Sequence, residues 1–136
     1  MILLVDWGNT FLKTLIVEDD ITEQSKLDSK HLYQSSSIEE FSEYILHVNT
    51  HPETKISTAY ISSVRKTSDN QSLILILEQL EIDSKLTKTT RELSGVVCAY
   101  KQFESFGGDR WLAVIAAYSP KKTTGIIDIG SAITLD

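Results

Sequence analysis

The chain begins with Ile2-Leu3-Leu4-Val5, four apolar residues that run without a break into Asp6. A short, continuous aliphatic run is the mark of a strand buried in the middle of a sheet. Trp7-Gly8-Asn9-Thr10 follows at once, and then a second apolar stretch, "FLKTLIVED", reads as another strand. So short a turn predicts a hairpin. The fold is therefore expected to be built on a sheet, with a carboxylate, a glycine and two small polar residues clustered where its first two strands meet.

The rest of the chain reads as an alternation of helices and strands. "ITEQSKLD" is expected to form a third, more exposed strand. "SSSIEEFSEYILHV" carries a helix signature: Ser37 as N-cap, Glu40 three residues on as its capping-box partner, and Ile38, Phe41, Ile45 and Val48 at helical spacing. "HPETK" is a turn and "ISTAYISSV" a buried strand. "SDNQSLILILEQL" reads as a helix capped by Ser68, although its Leu and Ile run also suits a strand. "SKLTKTT" alternates like an edge strand. "GGDRWLAVIAAY" reads as a helix entered from a glycine turn, with Trp111, Leu112, Ile115 and Ala116 on one face. "SPKK" ends it, and "TTGIIDIGSAITLD" reads as strand, turn, strand. Strands first and then alternation predict an α/β domain with a mixed sheet.

Composition narrows the function classes. The chain has 136 residues, 41% hydrophobic and 24% charged, which fits one globular domain with a real core. Its net charge is −6, with no basic run, so nucleic acid and anionic membranes are poor partners. Cys98 is the only cysteine and reads as a small buried apolar residue rather than part of a disulfide or zinc site. The N-terminus has no basic leader, and its apolar run is too short for a signal peptide or membrane span. A reduced, cytoplasmic protein is expected. His31, His47 and His51 show no ligand spacing, and Trp7 reads as a packing residue on the strand.

The opening motif has an echo. "LLVDWGNTFLKTL" and "GIIDIGSAITLD" both run apolar strand, Asp, one apolar residue, Gly, two small residues, and apolar residues again. Asp6 matches Asp128, Gly8 matches Gly130, and Asn9-Thr10 stands against Ser131-Ala132. The separation is that of a whole domain, which suggests a duplicated fold: residues 1–122 as one domain, and residues 123–136 as the first strands of a second copy. Backbone N–H groups of such a turn can converge on an anion, glycine permits close approach, and Asp can hold Mg²⁺ against phosphate oxygens. Lys13 lies three residues past Thr10 and would point toward the same cleft. One such motif alone reads first as an ordinary hairpin turn with Asp and Asn bonded to backbone; the pairing turns the balance toward phosphate. Asp109 and Arg110, after two glycines at a helix start, have two readings as well. They are a helix-dipole pair, or a general base and an anion grip. Phosphoryl transfer to an alcohol needs metal, phosphate positioning and a carboxylate to take the hydroxyl proton, and Asp6, Asp128 and Asp109 supply that set.

With those residues in view, the chain resembles the type III pantothenate kinases, of the superfamily that joins acetate and sugar kinases, chaperone ATPases and actin. "DWGNTFLK" is similar to that family's first phosphate motif, "YKQFESFGGDRW" to its substrate motif, and "DIGSAITLD" to its second phosphate motif. "ISSV", Ile61 to Val64, looks like its central strand. The resemblance implies a ribonuclease H-like, actin-like ATPase fold with a mixed sheet flanked by helices. It also implies ATP-dependent phosphorylation of pantothenate to 4′-phosphopantothenate, the first step of coenzyme A biosynthesis. Carried over, Asp6, Gly8, Asn9, Thr10, Lys13 and Ser131 would bind ATP phosphate, with Asp6 on Mg²⁺. Asp128 would bind a monovalent cation, K⁺ or NH₄⁺. Tyr100, Gly107, Gly108, Asp109 and Arg110 would hold pantothenate, with Asp109 as general base. A homodimer is implied too. Ser131 stands where the family has threonine, and Phe103 where a proline is common. Family members run for roughly another domain, so the 136-residue chain is expected to lack useful kinase activity by itself. Two other readings stand beside this one: a non-catalytic accessory protein on the same fold, and a kinase for another small alcohol.

Overall fold

Strand β1, Ile2–Trp7, alternates strictly: Leu3, Val5 and Trp7 are buried, while Asp6 is exposed. It pairs antiparallel with β2, Leu12–Val17, so the opening hairpin forms as its short turn predicts. β2 pairs antiparallel with β3, Leu32–Ser35. On its other side β1 pairs parallel with β4, Thr58–Ser63, and β4 pairs parallel with β5, Asp83–Leu86. The result is a five-stranded mixed sheet in the order β3-β2-β1-β4-β5, with β5 at an edge as its alternation predicts. The computed structural model describes residues 1–20, 32–129 and 133–136. The strand expected over "ITEQSKLD" lies outside the described residues.

Two helices cover the face of the sheet that carries Leu3. Helix α1, Ile38–Asn49, contributes Phe41 and Ile45; helix α2, Thr67–Gln79, contributes Leu73 and Leu77. With Leu3, Val5, Trp7, Ala59 and Ile61 they make one buried cluster, and Ile38 and Val48 pack against it. Each large aliphatic side chain so buried contributes about 1.5–3 kcal/mol. The apolar run in α2 is therefore helical, because the spacing of Leu73 and Leu77 puts both on one helix face. Its start differs from expectation. Lys66 is the N-cap and makes no side-chain cap bond, while Ser68 lies inside the helix with its hydroxyl directed at the Asp69 carboxylate, 3.4 Å away.

The chain divides into two compact units, residues 1–87 and 88–136, and the sheet just described belongs to the first. A boundary at 122/123 falls inside the second. That unit opens with a hairpin of β6, Glu92–Leu93, and β7, Val96–Val97. Its two turn residues, Ser94 and Gly95, have φ of 52° and 79°, the left-handed pair that a tight hairpin turn requires. Helix α3, Gly108–Ala117, packs Trp111, Val114 and Ile115 with Val96, Cys98 and Phe106. The expected face is thus corrected: Leu112 and Ala116 are exposed, and Val114 takes the place beside Trp111 and Ile115. Cys98 is buried as expected. A last antiparallel pair, β8, Ile127–Ile129, and β9, Ile133–Leu135, forms its own two-stranded sheet. No helix among the described residues is long and apolar enough to cross a membrane.

The α1 cap generates a prediction. Ser37 Oγ accepts the Glu40 N–H at 3.2 Å, as the sequence predicts. The Glu40 carboxylate reaches one residue further back than a standard capping box. It accepts the Ser36 N–H at 2.8 Å and the Ser36 hydroxyl at 2.9 Å, with the Tyr33 hydroxyl at 3.3 Å. These bonds, the Ser36 N–H first, lower the Glu40 pKa. A depressed carboxylate stabilises the fold above its unfolded pKa and loses that contribution as pH falls through the folded pKa. Glu40→Gln is therefore expected to melt below the wild type at neutral pH. The gap should narrow once pH falls below the ordinary glutamate range and close in stronger acid, as read by thermal melts across a pH series.

Candidate functional site

The hairpin of β1 and β2 fixes the first group of candidate residues. Their register sets Asp6 opposite Lys13, and the carboxylate and ammonium stand 3.9 Å apart on the same face of the sheet. Both are half-exposed, so the pair alone adds little stability. It does place a carboxylate and a cation side by side at the mouth of the turn. Gly8 donates its N–H to the Phe11 carbonyl at 3.0 Å and closes the turn over exposed Asn9 and Thr10. A Cβ added to Gly8 would meet only that carbonyl oxygen, at an ordinary 3.6 Å, and Gly8 does not adopt positive φ. The fold itself does not require glycine here. What glycine provides is an unobstructed backbone on the turn's outer side.

Arg65, just past β4, supports this turn from behind, and the motif search missed it. Its Nη1 donates to the Asn9 carbonyl at 3.1 Å, its Nε pairs with Asp69 at 3.0 Å, and its guanidinium lies 5.6 Å from the centroid of the Trp7 ring. A cleft of about 240 Å³ opens here, lined by Trp7, Asn9, Thr10, Ser37, Arg65 and Asp69 among others. Trp7 faces the helices, so this cleft lies on the helix side of the turn and not on the side of Asp6 and Lys13. Arg65 thus braces the loop without blocking the exposed face. Only tertiary structure brings residue 65 to residue 9.

The second group lies in unit 2. Gly107 is the N-cap of α3, and Asp109 in its first turn accepts the Arg110 N–H at 2.8 Å through Oδ1. A Cβ on Gly107 would fall 2.6 Å from that oxygen, so the glycine clears room for the carboxylate. Tyr100 stacks on Phe106 with ring centroids 4.7 Å apart, and the Arg110 guanidinium sits 4.6 Å above the same Phe106 ring. Tyr100, Gly107, Gly108, Asp109 and Arg110 therefore come together as one patch. Arg110 has a partner that the motif reading did not assign. Its Nε and Nη2 fork onto the Asp136 carboxylate, with Nε at 2.9 Å from Oδ2. That pair, with Tyr100 adding to it, raises the Arg110 pKa further and keeps the guanidinium charged. Asp128 lies exposed on β8 opposite Thr134. Gly130 and Ser131 lie outside the described residues.

No cluster of three or more His, Cys, Asp or Glu side chains is arranged for a metal among the described residues. A single carboxylate beside a turn is nevertheless compatible with Mg²⁺, which keeps most of its waters and needs only one or two carboxylates from the protein.

The family model described as type III pantothenate kinase matches residues 2–136. A type III pantothenate kinase of Pseudomonas syringae pv. syringae is 31% identical over 138 aligned residues, covering 100% of this chain and 52% of the relative. One from Acinetobacter baumannii is 34% identical over 134 residues, covering 98% of this chain and 52% of the relative. One from Acinetobacter baylyi is 31% identical, with 98% and 53% covered. The chain spans about half the length of the curated relatives it matches.

The bracing by Arg65 is testable in the isolated chain. A hydrogen bond and a cation–π contact at a half-exposed site are together worth about 1–2 kcal/mol. Arg65→Ala should therefore speed exchange of the Gly8 amide by roughly tenfold, with Arg65→Lys in between. Unchanged Gly8 protection in Arg65→Ala would show that the turn holds its shape without the guanidinium.

Proposed function

The chain belongs to the type III pantothenate kinase family, and on that premise we propose that it supplies the phosphate-binding hairpin and the substrate patch of an ATP-dependent pantothenate kinase. The reaction is phosphorylation of pantothenate to 4′-phosphopantothenate, the entry to coenzyme A biosynthesis. The observation that carries this reading is the turn at residues 7–11. It joins a carboxylate and a cation 3.9 Å apart to a glycine that folding does not demand.

In this reading Asp6 holds Mg²⁺, which neutralises charge on the phosphate oxygens when bound. Lys13 adds a point charge to the same oxygens, and the N–H groups of Asn9 and Thr10 line the phosphate chain, the Gly8 N–H being held by the Phe11 carbonyl. Asp109 takes the proton from the pantothenate hydroxyl. Its Oδ1 is oriented by the Arg110 N–H, which leaves Oδ2 for the proton. Tyr100 and Gly107 to Arg110 hold pantothenate. Arg110, kept charged by Asp136, presents its remaining N–H donors to the substrate carboxylate. Asp128, with Ser131 beside it in sequence, serves a monovalent cation and ATP phosphate.

The hairpin of β8 and β9 supports the duplicated-fold reading locally. In each copy the aspartate is the residue before the end of the first strand, Asp6 before Trp7 and Asp128 before Ile129, and the next strand returns antiparallel. Residues 123–136 then begin the second copy. Ile127, Ile129, Ile133 and Leu135 are 67–76% exposed, so this apolar pair carries no covering layer among the described residues. A homodimer follows from the family resemblance.

The direct test is an ADP-release assay with pantothenate, Mg-ATP and potassium. It compares this chain with one continued by the remaining segment of the Pseudomonas syringae relative. The continued chain is expected to turn over and the 136-residue chain to be silent. Asp109→Asn in the continued chain should lower kcat by about 10²–10⁴ with the fold intact. Gly8→Ala should raise the KM for ATP at least tenfold while leaving stability unchanged or up by about 0.4–1 kcal/mol. Turnover by the 136-residue chain would overturn the half-site reading. A continued chain that neither turns over nor binds pantothenate would favour the accessory-protein reading instead.

A further inference from the structure

Three strands run abreast at the end of the sheet where the opening turn lies. β2 contributes Lys13, β1 Asp6 and β4 Ser62, and the registers Asp6↔Lys13 and Asp6↔Ser62 put all three side chains in one row. Residues paired directly across a ladder share a face. This row therefore lies on the face opposite α1 and α2, since Val5 and Ile61 point to the helices. β1 and β4 are parallel, and the row is near their carboxyl ends, where open α/β sheets place their ligands.

Ser62 is the unusual member. Its hydroxyl oxygen is buried and has no hydrogen-bond partner. Its neighbours are satisfied: Ser63 Oγ donates to Asn70 at 2.7 Å and accepts the Arg65 N–H at 3.1 Å, and Thr87 Oγ1 donates to the Ile61 carbonyl at 2.9 Å. A buried hydroxyl without a partner destabilises the fold, and alanine would fill nearly the same space without that cost. A second orphan hydroxyl stands in a different place, on the antiparallel partner strand of the last hairpin. Thr134 sits directly opposite Asp128 in the β8–β9 ladder, and its hydroxyl oxygen is likewise buried without a partner. The orphaned side-chain atoms among the described residues are three. Two are hydroxyls, and each stands beside one of the two motif aspartates; the third, Trp111 Nε1, lies in the core of unit 2.

We propose that the Ser62 hydroxyl is a further contact of the phosphate site, donating its hydrogen to a phosphate oxygen of a magnesium-complexed polyphosphate that lies over this row and is held by Asp6 and Lys13. The proposal rests on the phosphate reading of the opening turn given above. The three side chains then divide the work: a carboxylate for the cation, an ammonium for the net charge, and a neutral directional donor that orients one oxygen. The lost hydrogen bond in the free protein is regained when the phosphate arrives.

The test uses the 136-residue chain and Mg²⁺-tripolyphosphate, which has the charge and chain of the nucleotide without a base. Amide chemical shifts of Gly8, Asn9 and Thr10 are followed in the wild type, Ser62→Ala and Ser62→Thr, alongside thermal melts without ligand. Ser62→Ala is expected to weaken binding at least fivefold while melting at or above the wild-type temperature. Ser62→Thr, which keeps the hydroxyl, should bind within twofold of wild type. Wild-type affinity in Ser62→Ala overturns the Ser62 contact alone. So does a drop of several degrees in its melting temperature, because the hydroxyl would then be serving the fold. If tripolyphosphate leaves the Gly8–Thr10 amides of the wild type unmoved, the phosphate reading of the turn falls and the Ser62 contact with it.

Discussion

The first unit depends on the double pairing of β1. Its six residues are bonded antiparallel to β2 on one side and parallel to β4 on the other. A one-residue slip on either side would turn Leu3, Val5 and Trp7 out of the core and Asp6 into it. The burial of those three apolar side chains under α1 and α2 therefore holds the register. The same register is what sets Lys13, Asp6 and Ser62 in one row. The groups on the opposite face are positioned by the packing under the helices, through a strand only six residues long.

The two faces of the opening turn carry different tasks. On the helix side, Trp7 is buried, Arg65 lies over it, and the Asn9 carbonyl is tied to that guanidinium. On the other side Asp6 and Lys13 stand half-exposed. A loop so braced holds its shape before any ligand arrives, whereas ordering a loop on binding costs binding energy. Unit 2 solves a similar problem with aromatic packing. Phe106 carries Tyr100 against its ring and Arg110 above it, and Gly107 leaves room for the Asp109 carboxylate.

Much of this was legible in the chain itself. The hairpin, α1 with its Ser37 cap, α2, the edge strand β5 and α3 all follow from periodicity and turn chemistry, which are local. The errors have physical reasons. Ser68 has the right chemistry for a cap, but the chain becomes helical one residue earlier, at Thr67. The face of α3 was misplaced because Leu112 and Val114 are equally apolar, and only contact with Val96, Cys98 and Phe106 chooses between them. The β6–β7 hairpin did have a signal, the Ser94-Gly95 pair between Leu93 and Val96, but strands of two residues each are too short to show a period. Arg65, Asp136 and Ser62 had none. Nothing near residue 65 in sequence indicates that it will brace residue 9.

The sequence by itself determined the family and the chemistry on offer. Motifs that are contiguous in the chain carry their residue types with them, and a match over residues 2–136 reads those types in order. It also determined where the carboxylates, glycines and Arg110 stand relative to the turns that expose them. Tertiary structure alone decided which groups face one another: Arg65 on Asn9, Arg110 on Asp136, and Ser62 abreast of Asp6. Those pairings join residues tens of positions apart. They arise from strand register and core packing, whose energies are summed over many side chains and are not written in any one stretch of the chain.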